Sequence, residues 1–386
     1  MVLSALAIFT ISSNRSQFTS CRQTLQASVL AKDSTEWNAA PNQPFCPKPT
    51  APRFLASDSQ EARLVDSLLA KPPGIPMDDV STLCHLLLAY RDSPIPLAQL
   101  SSRSRVFSVL TNWSLAKEQF GEVPFFTTRY GIRYRMLSVD KLPIQRGESH
   151  RDLCLATFAE IGLPLDSCVL TSEGTRTIRD LLRDSIATFD VHEAEIAWTA
   201  IAYTLYMPRQ SSWMTRDNDR FTFDDLANEL LQRPLSRASC GGAHLLMAMT
   251  LLLRADADQR CISSETRGAL VRQLRDWARI AASAQCGNGS WIATWYRAEK
   301  IGPAVSASLF GRMLVTGHLL EWMEYLPSEL QPDQSVYRAA VGWLIKRLPE
   351  LAALRQFPAQ MFCPWTHSVS GLRNLVQKNE KNDLTK

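Results

Sequence analysis

The sequence predicts an all-α fold, an α/α-toroid of about six helical hairpins behind a disordered N-terminal segment. Three observations predict it. Helical periodicity recurs from residue 59 onward, with Gly, Pro or Asp between the segments. Successive segments alternate between apolar on every side and apolar along one stripe. All six histidines, His85, His150, His192, His244, His318 and His367, fall on the apolar set. A helix apolar all round must be enclosed, and a striped one covers it from outside, so the alternation describes inner and outer helices. A right-handed solenoid of hairpins gives a similar alternation and is the runner-up.

Taken in order, the periodicity predicts helices over 59–70, 78–90, 96–112, 149–162, 177–188, 192–206, 222–232, 241–255, 264–284, 302–325, 331–354 and 363–378. Asp78, Thr222 and Ser264 stand where N-caps belong. The inner set includes Cys84-His85-Leu86-Leu87-Leu88, Ile196-Ala197-Trp198 and His244-Leu245-Leu246-Met247. The outer set includes Ile178-Arg179-Asp180-Leu181 and Leu274-Arg275-Asp276-Trp277. Thr127–Tyr134 alone reads as strand or hairpin. Residues 1–57 read as a leader and a Pro- and Ser-rich segment, 58–378 as the helical domain, and 379–386 as a flexible tail.

Composition excludes some classes. Hydrophobic residues make up 45% of the 386, enough for a large core, so a disordered or fibrous chain is ruled out. The net charge of +4 is too mild, and its Lys and Arg too dispersed, for a nucleic-acid partner. The apolar run Val2–Ile11 is too short to span a bilayer and lacks a preceding basic region, so it reads as a leader rather than a signal or anchor. Nine cysteines without a Cys-x-x-Cys or a framework spacing favour reduced thiols and a cytoplasmic setting over a secreted or anchored one.

Gln285-Cys286-Gly287-Asn288-Gly289-Ser290-Trp291 fits a Gln-x-x-x-Gly-x-Trp pattern after an amphipathic helix. The Gln caps a helix end, the Gly permits a sharp turn, and the Trp packs back on the next hairpin. In this the chain resembles the squalene-cyclase repeat, and so the terpenoid cyclase and protein prenyltransferase superfamily of α/α-toroids, over its C-terminal half. The resemblance implies a central cavity that takes an apolar or modified small-molecule or peptide ligand. It also departs from that family: no Asp-x-Asp-Asp acid motif occurs, and Asp224-Asp225 reads as a helix-dipole pair on an outer helix.

Three constellations carry candidate chemistry. Cys240 and His244 lie one turn apart at the start of an inner helix, a spacing suited to zinc, with His318 on the next inner helix as third ligand. A helix N-terminus also favours the thiolate form of Cys240. Glu148 and His150 open another inner helix and offer an acid and a base. His192, Glu195 and Trp198 follow on the next, with His192 and Glu195 as acid–base groups. Trp198, Trp295, Glu321, Trp322 and His367 are the candidates for binding substrate, and His85 reads as core. The reading is a terpenoid-cyclase- or prenyltransferase-like protein, zinc-assisted. The alternatives are a carbohydrate-active (α/α)6 hydrolase or lyase, which needs a carboxylate pair, and a non-catalytic cavity-binding protein.

Overall fold

The computed structural model describes residues 42–70, 79–90, 103–137, 147–208, 212–300 and 308–376, all within the unit Trp37–Lys386. The expected leader up to residue 41 and the tail 379–386 lie outside the described residues, as do the first half of the predicted helix 96–112 and the start of 302–325. The chain is mostly α. Its helices are α1 Gln60–Ala70, α2 Val80–Ala89, α3 Arg103–Thr111, α4 Trp113–Phe120, α5 Leu153–Glu160, α6 Ile178–Ala187 and α7 Ile196–Tyr206. They continue with α8 Phe223–Gln232, α9 Ala243–Gln259, α10 Ser264–Ser283, α11 Leu309–Tyr325, α12 Gln334–Ala352 and α13 Phe362–Asn374. The periodicity anticipates all of these except α4, which Asn112 starts by accepting from the Ser114 and Leu115 N–H groups.

Caps fix the helix starts. The Asp79 carboxylate accepts the Thr82 N–H at 2.7 Å, one residue beyond the expected Asp78. Ser263 rather than Ser264 caps α10. Thr222 and Asp225 form a capping box on α8 as the sequence suggests, and the Asp224 carboxylate accepts from Ser263. The strand-like stretch is a hairpin, β1 Phe125–Thr127 against β2 Ile132–Tyr134. Two further hairpins were not legible: β3 Cys168–Thr171 with β4 Gly174–Thr177, and β5 Trp213–Met214 with β6 Arg220–Phe221. Strands this short lack the apolar alternation that would announce them.

The apolar helices are the ones that meet. α2 packs on α5, α5 on α7, α7 on α9, α9 on α11, α11 on α13, and α13 returns to α2. Every residue of α7 is buried. The striped helices cover this closed series: α3 lies on α2, α6 on α5, α8 on α7 and α9, α10 on α9, α12 on α11 and α13, and α1 on α12 and α13. Residues 42–57, although rich in proline, run over the helix ends. Phe45 N–H donates to Leu205 O at 2.7 Å, Thr50 N–H to Glu324 O at 2.7 Å, and Ala51 and Leu55 are buried.

The Gln285–Trp291 turn works much as its pattern requires. The Gln285 side-chain amide donates to Gly289 O and to Val336 O in the first turn of α12. Gly289 has φ +92°, and a Cβ there would stand 2.0 Å from Ala339 O, so no other residue fits. The Trp291 indole is fully buried and donates to Ala281 O at 2.7 Å, so it packs back on α10 rather than forward on the next hairpin. Cys168 is disulfide-bonded, whereas Cys46, Cys84, Cys154, Cys240, Cys261, Cys286 and Cys363 form no disulfide, so the cysteines are not uniformly reduced.

Candidate metal centre

Four helices of the closed series bring six metal-binding side chains together: His85 from α2, Cys240 and His244 from the start of α9, His318 from α11, and Cys363 and His367 from α13. The donor atoms of Cys240, His244 and His318 lie within 4.8 Å of one another, and so do those of His85, Cys363 and His367. The first set is the one expected from sequence. Both are buried His/Cys groups that could hold a metal ion.

Local sequence sets the aim of each ligand. Cys240, Gly241 and Gly242 take successive positive φ values of 51°, 67° and 84°, a turn that delivers the chain into α9. A Cβ on Gly242 would come within 2.7 Å of Leu235, and the Trp295 indole donates to Gly241 O at 3.0 Å, so the turn is clamped from both sides. Cys363 sits in the first turn of α13, where Pro364 is tolerated because its missing N–H has no helical partner to lose. On α11, a Cβ at Gly317 would lie 2.6 Å from Ser368 Oγ. The glycine therefore lets α11 and α13 approach closely, and the His318 and His367 rings stand 3.6 Å apart between centroids.

The imidazoles are held in definite tautomers. His85 Nδ1 donates to Ser81 O at 2.6 Å, His318 Nδ1 to Leu314 O at 2.7 Å, and His367 Nδ1 to a Glu321 carboxylate oxygen at 2.6 Å. Each Nδ1–H is thereby engaged, leaving Nε2 with its lone pair. His318 Nε2 is 4.0 Å from Cys363 Sγ. Buried His367 Nε2 and both nitrogens of buried His244 have no hydrogen-bond partner among the described residues. Buried polar atoms are rarely left so, and three in one cluster call for a ligand.

Electrostatics follow from the packing. The hydrogen bond from the Cys363 thiol holds Cys240 well below the usual thiol range, with His318 and His244 adding to it, while Cys363 is pushed well above. Burial depresses His85 to about 3, with His367 adding to it. Burial also drives His244 well below its ordinary value. It works against the charged form of His318 too, yet the adjacent Cys240 raises that group. Against burial, His367 and Ser370 hold Glu321 down at about 2.

A small cavity of about 20 Å³ opens on this cluster. His244, His318, His367, Glu321 and Glu160 form its polar side, and Leu88, Trp198, Ile201 and Met247 are on its apolar side. Trp198 tilts against His244 with 4.4 Å between ring centroids. His150 lies in the turn before α5, stacks on Trp198 at 6.0 Å, and places Nδ1 3.1 Å from a Glu195 carboxylate oxygen. Glu195 also accepts from Ser239 Oγ at 2.8 Å, next to Cys240.

Other predicted residues stand elsewhere. His192 lies in the loop before α7 with its side chain 79% exposed, 3.7 Å from Glu229, because that helix starts at Ile196 rather than at 192. Trp295 and Trp322 are fully buried, their indoles donating to Gly241 O and Thr250 Oγ1, so they pack between elements instead of facing the cavity. Glu148 is buried beside a different, charged cavity and accepts the Cys154 N–H at 2.6 Å. It thus caps the start of α5, and burial lifts its carboxyl to about 8. Sequence reasoning passed over His85 and Cys363. A signal existed: Cys363-x-x-x-His367 repeats the spacing of Cys240-x-x-x-His244.

No described helix is long and apolar enough to cross a membrane. Comparison with protein-family models, with curated proteins and with solved structures gives no match.

Proposed function

We propose that the chain is an α/α-toroid enzyme resembling terpenoid cyclases and protein prenyltransferases, in which Cys240, His244 and His318 hold a zinc ion facing a cavity for an apolar substrate. One observation carries the reading: His244, in the first turn of α9, has both ring nitrogens buried without a partner, next to a thiol and a second imidazole within 4.8 Å. A thiolate with two imidazoles suits zinc, and three protein ligands leave a fourth position open, the arrangement of catalytic sites. The toroid is supported by the return of α13 to α2 and by the outer position of the striped helices.

Zinc bound there would supply Lewis acidity, lowering the pKa of a water or thiol at the open position. The chain's own residues do the rest. Leu314 O fixes the His318 tautomer so that Nε2 is the ligand. Trp198, Leu88, Ile201 and Met247 hold the apolar part of the substrate and exclude water. His150, oriented by Glu195, stands at the rim as the group that moves a proton. The carbohydrate-active alternative draws less support. Of the two carboxylates that line the cavity, Glu160 and Glu321, the second is already engaged by His367 and Ser370, while Glu148 caps a helix beside the charged cavity and Glu195 faces His150 and Ser239.

Elemental analysis of the purified full chain beside Cys240→Ala tests the reading. Zinc should accompany the native chain and its content should fall in the variant. A native chain that retains no metal after incubation with zinc and dialysis would sink it.

A further inference from the structure

The two ligand sets are built alike. In each, a Cys is followed four residues later by a His: Cys363 and His367 both lie at the start of α13, whereas Cys240 lies in the turn that leads into α9 and His244 in the first turn of that helix. In each, a second His from a neighbouring helix completes the set, and its Nδ1 donates to the carbonyl four residues back: His318 to Leu314 O, and His85 to Ser81 O. The same tie fixes the same tautomer twice and leaves each Nε2 for a ligand. Within each set the three donor atoms lie within 4.8 Å.

A single tetrahedral ion takes four protein donors at most, and this centre offers six. One ion on Cys240, His244 and His318 leaves the buried Nε2 of His367 without a partner, and that imidazole is supported by Glu321 on its other side in the manner of a metal ligand. We propose that His85, Cys363 and His367 hold a second divalent ion, making the centre binuclear. This rests on the reading that Cys240, His244 and His318 hold the first. The sets adjoin through the His318 and His367 rings and through Cys363 Sγ, 4.0 Å from His318 Nε2, so both ions face the same cavity. Loading the second site releases the proton that the Cys363 thiol otherwise holds toward Cys240. A pair of Lewis acids beside one cavity suits a substrate with two coordinating atoms, or an attacking and a leaving atom polarised together.

The test is ion counting on the full chain saturated with zinc or cobalt and dialysed, with cobalt titration followed by the thiolate-to-cobalt absorption. The native chain should hold two ions and show two successive cobalt phases. Cys363→Ser should hold one and keep the Cys240 absorption, and Cys240→Ser should hold one and keep the Cys363 absorption. His85→Ala should weaken one phase at least tenfold and leave the other unchanged, which serves if Cys363→Ser does not fold by circular dichroism. A native chain with one ion, retained by Cys363→Ser and lost by Cys240→Ser, overturns the second site and leaves the first. One ion lost with either cysteine means a single shared ion and overturns the binuclear centre. No ion in the native chain overturns both readings.

Discussion

Two polar regions lie inside this helical chain, and they treat their charged and polar groups in opposite ways. Around the larger cavity, of about 170 Å³, partners are supplied by the chain itself. Arg133 donates to Asp184 at 2.7 Å and to Thr188 Oγ1 at 2.9 Å, Arg151 donates to Thr188 O at 2.6 Å, and Asp152 accepts from Ser185 and Thr199. In the candidate metal centre, His244 and His367 keep buried nitrogens that nothing among the described residues satisfies. A satisfied buried network holds a fold together, whereas an unsatisfied one is a cost that a ligand must offset. The comparison separates scaffold from site more sharply than cavity size does, since the larger cavity is the better satisfied.

The contrast can be broken at four places, in descending order of effect. Glu148 is held at about 8 by burial, above the ordinary 4.5, so the folded chain binds its proton more tightly than the unfolded one. Its contribution to stability is complete below about pH 4.5 and is lost as pH rises through about 8, by up to about 1.4 kcal/mol per pH unit. Urea denaturation across that range should show the slope, and Glu148→Gln, which can still accept the Cys154 N–H, should flatten it. Asp184 is next. Its side chain is 3% exposed and accepts from Arg133 and Thr128, so Asp184→Ala should cost about 3 kcal/mol by the same measurement without lowering metal content.

The third and fourth changes fall in the centre. Glu321→Gln should lower the affinity of the His85, Cys363 and His367 ion about 10–100-fold in chelator competition and leave the other ion unchanged. A merely structural role for Glu321 would lower both. His244→Leu removes two unsatisfied nitrogens, so the metal-free variant should be about 1 kcal/mol more stable than the metal-free native chain. With zinc present the order should reverse, because only the native chain gains the binding energy. A variant less stable under both conditions would show that His244 is ordinary core.

The enclosed helices were legible because hydrophobic periodicity is a local property with a global cause: α7, buried at every residue, must be covered. Cys240 and His244 were legible because a Cys and a His four residues apart form a local pattern, although Cys240 lies in the turn before α9, and His318 because it lies on the next apolar segment. His85 was not, since it lies in the apolar run Cys84–Ala89 and only the return of α13 to α2 turns it into a neighbour of His367, with 5.2 Å between ring centroids. His192 misled because three residues of loop before α7 are enough to send its ring into solvent. Trp295 and Trp322 misled because aromatic composition does not say which way an indole points. Cys84 and Cys154, distant in sequence, meet at 3.4 Å between sulfurs for the same reason that His85 was missed.

The seam between α2 and α13 also sets an order of assembly. Cys240, His244 and His318 come from one continuous fifth of the chain, so their site can close as soon as α11 is synthesised. His85 and His367 sit near opposite ends of the helical region, and Arg373 on α13 donates across the same seam to Ala89 O. Closing that loop demands nearly the longest sequence separation the fold contains, with the entropy cost and slow rate that accompany it. An ion captured by His85 and His367 would therefore act as a clasp, fastened late, once α13 has left the ribosome and found α2.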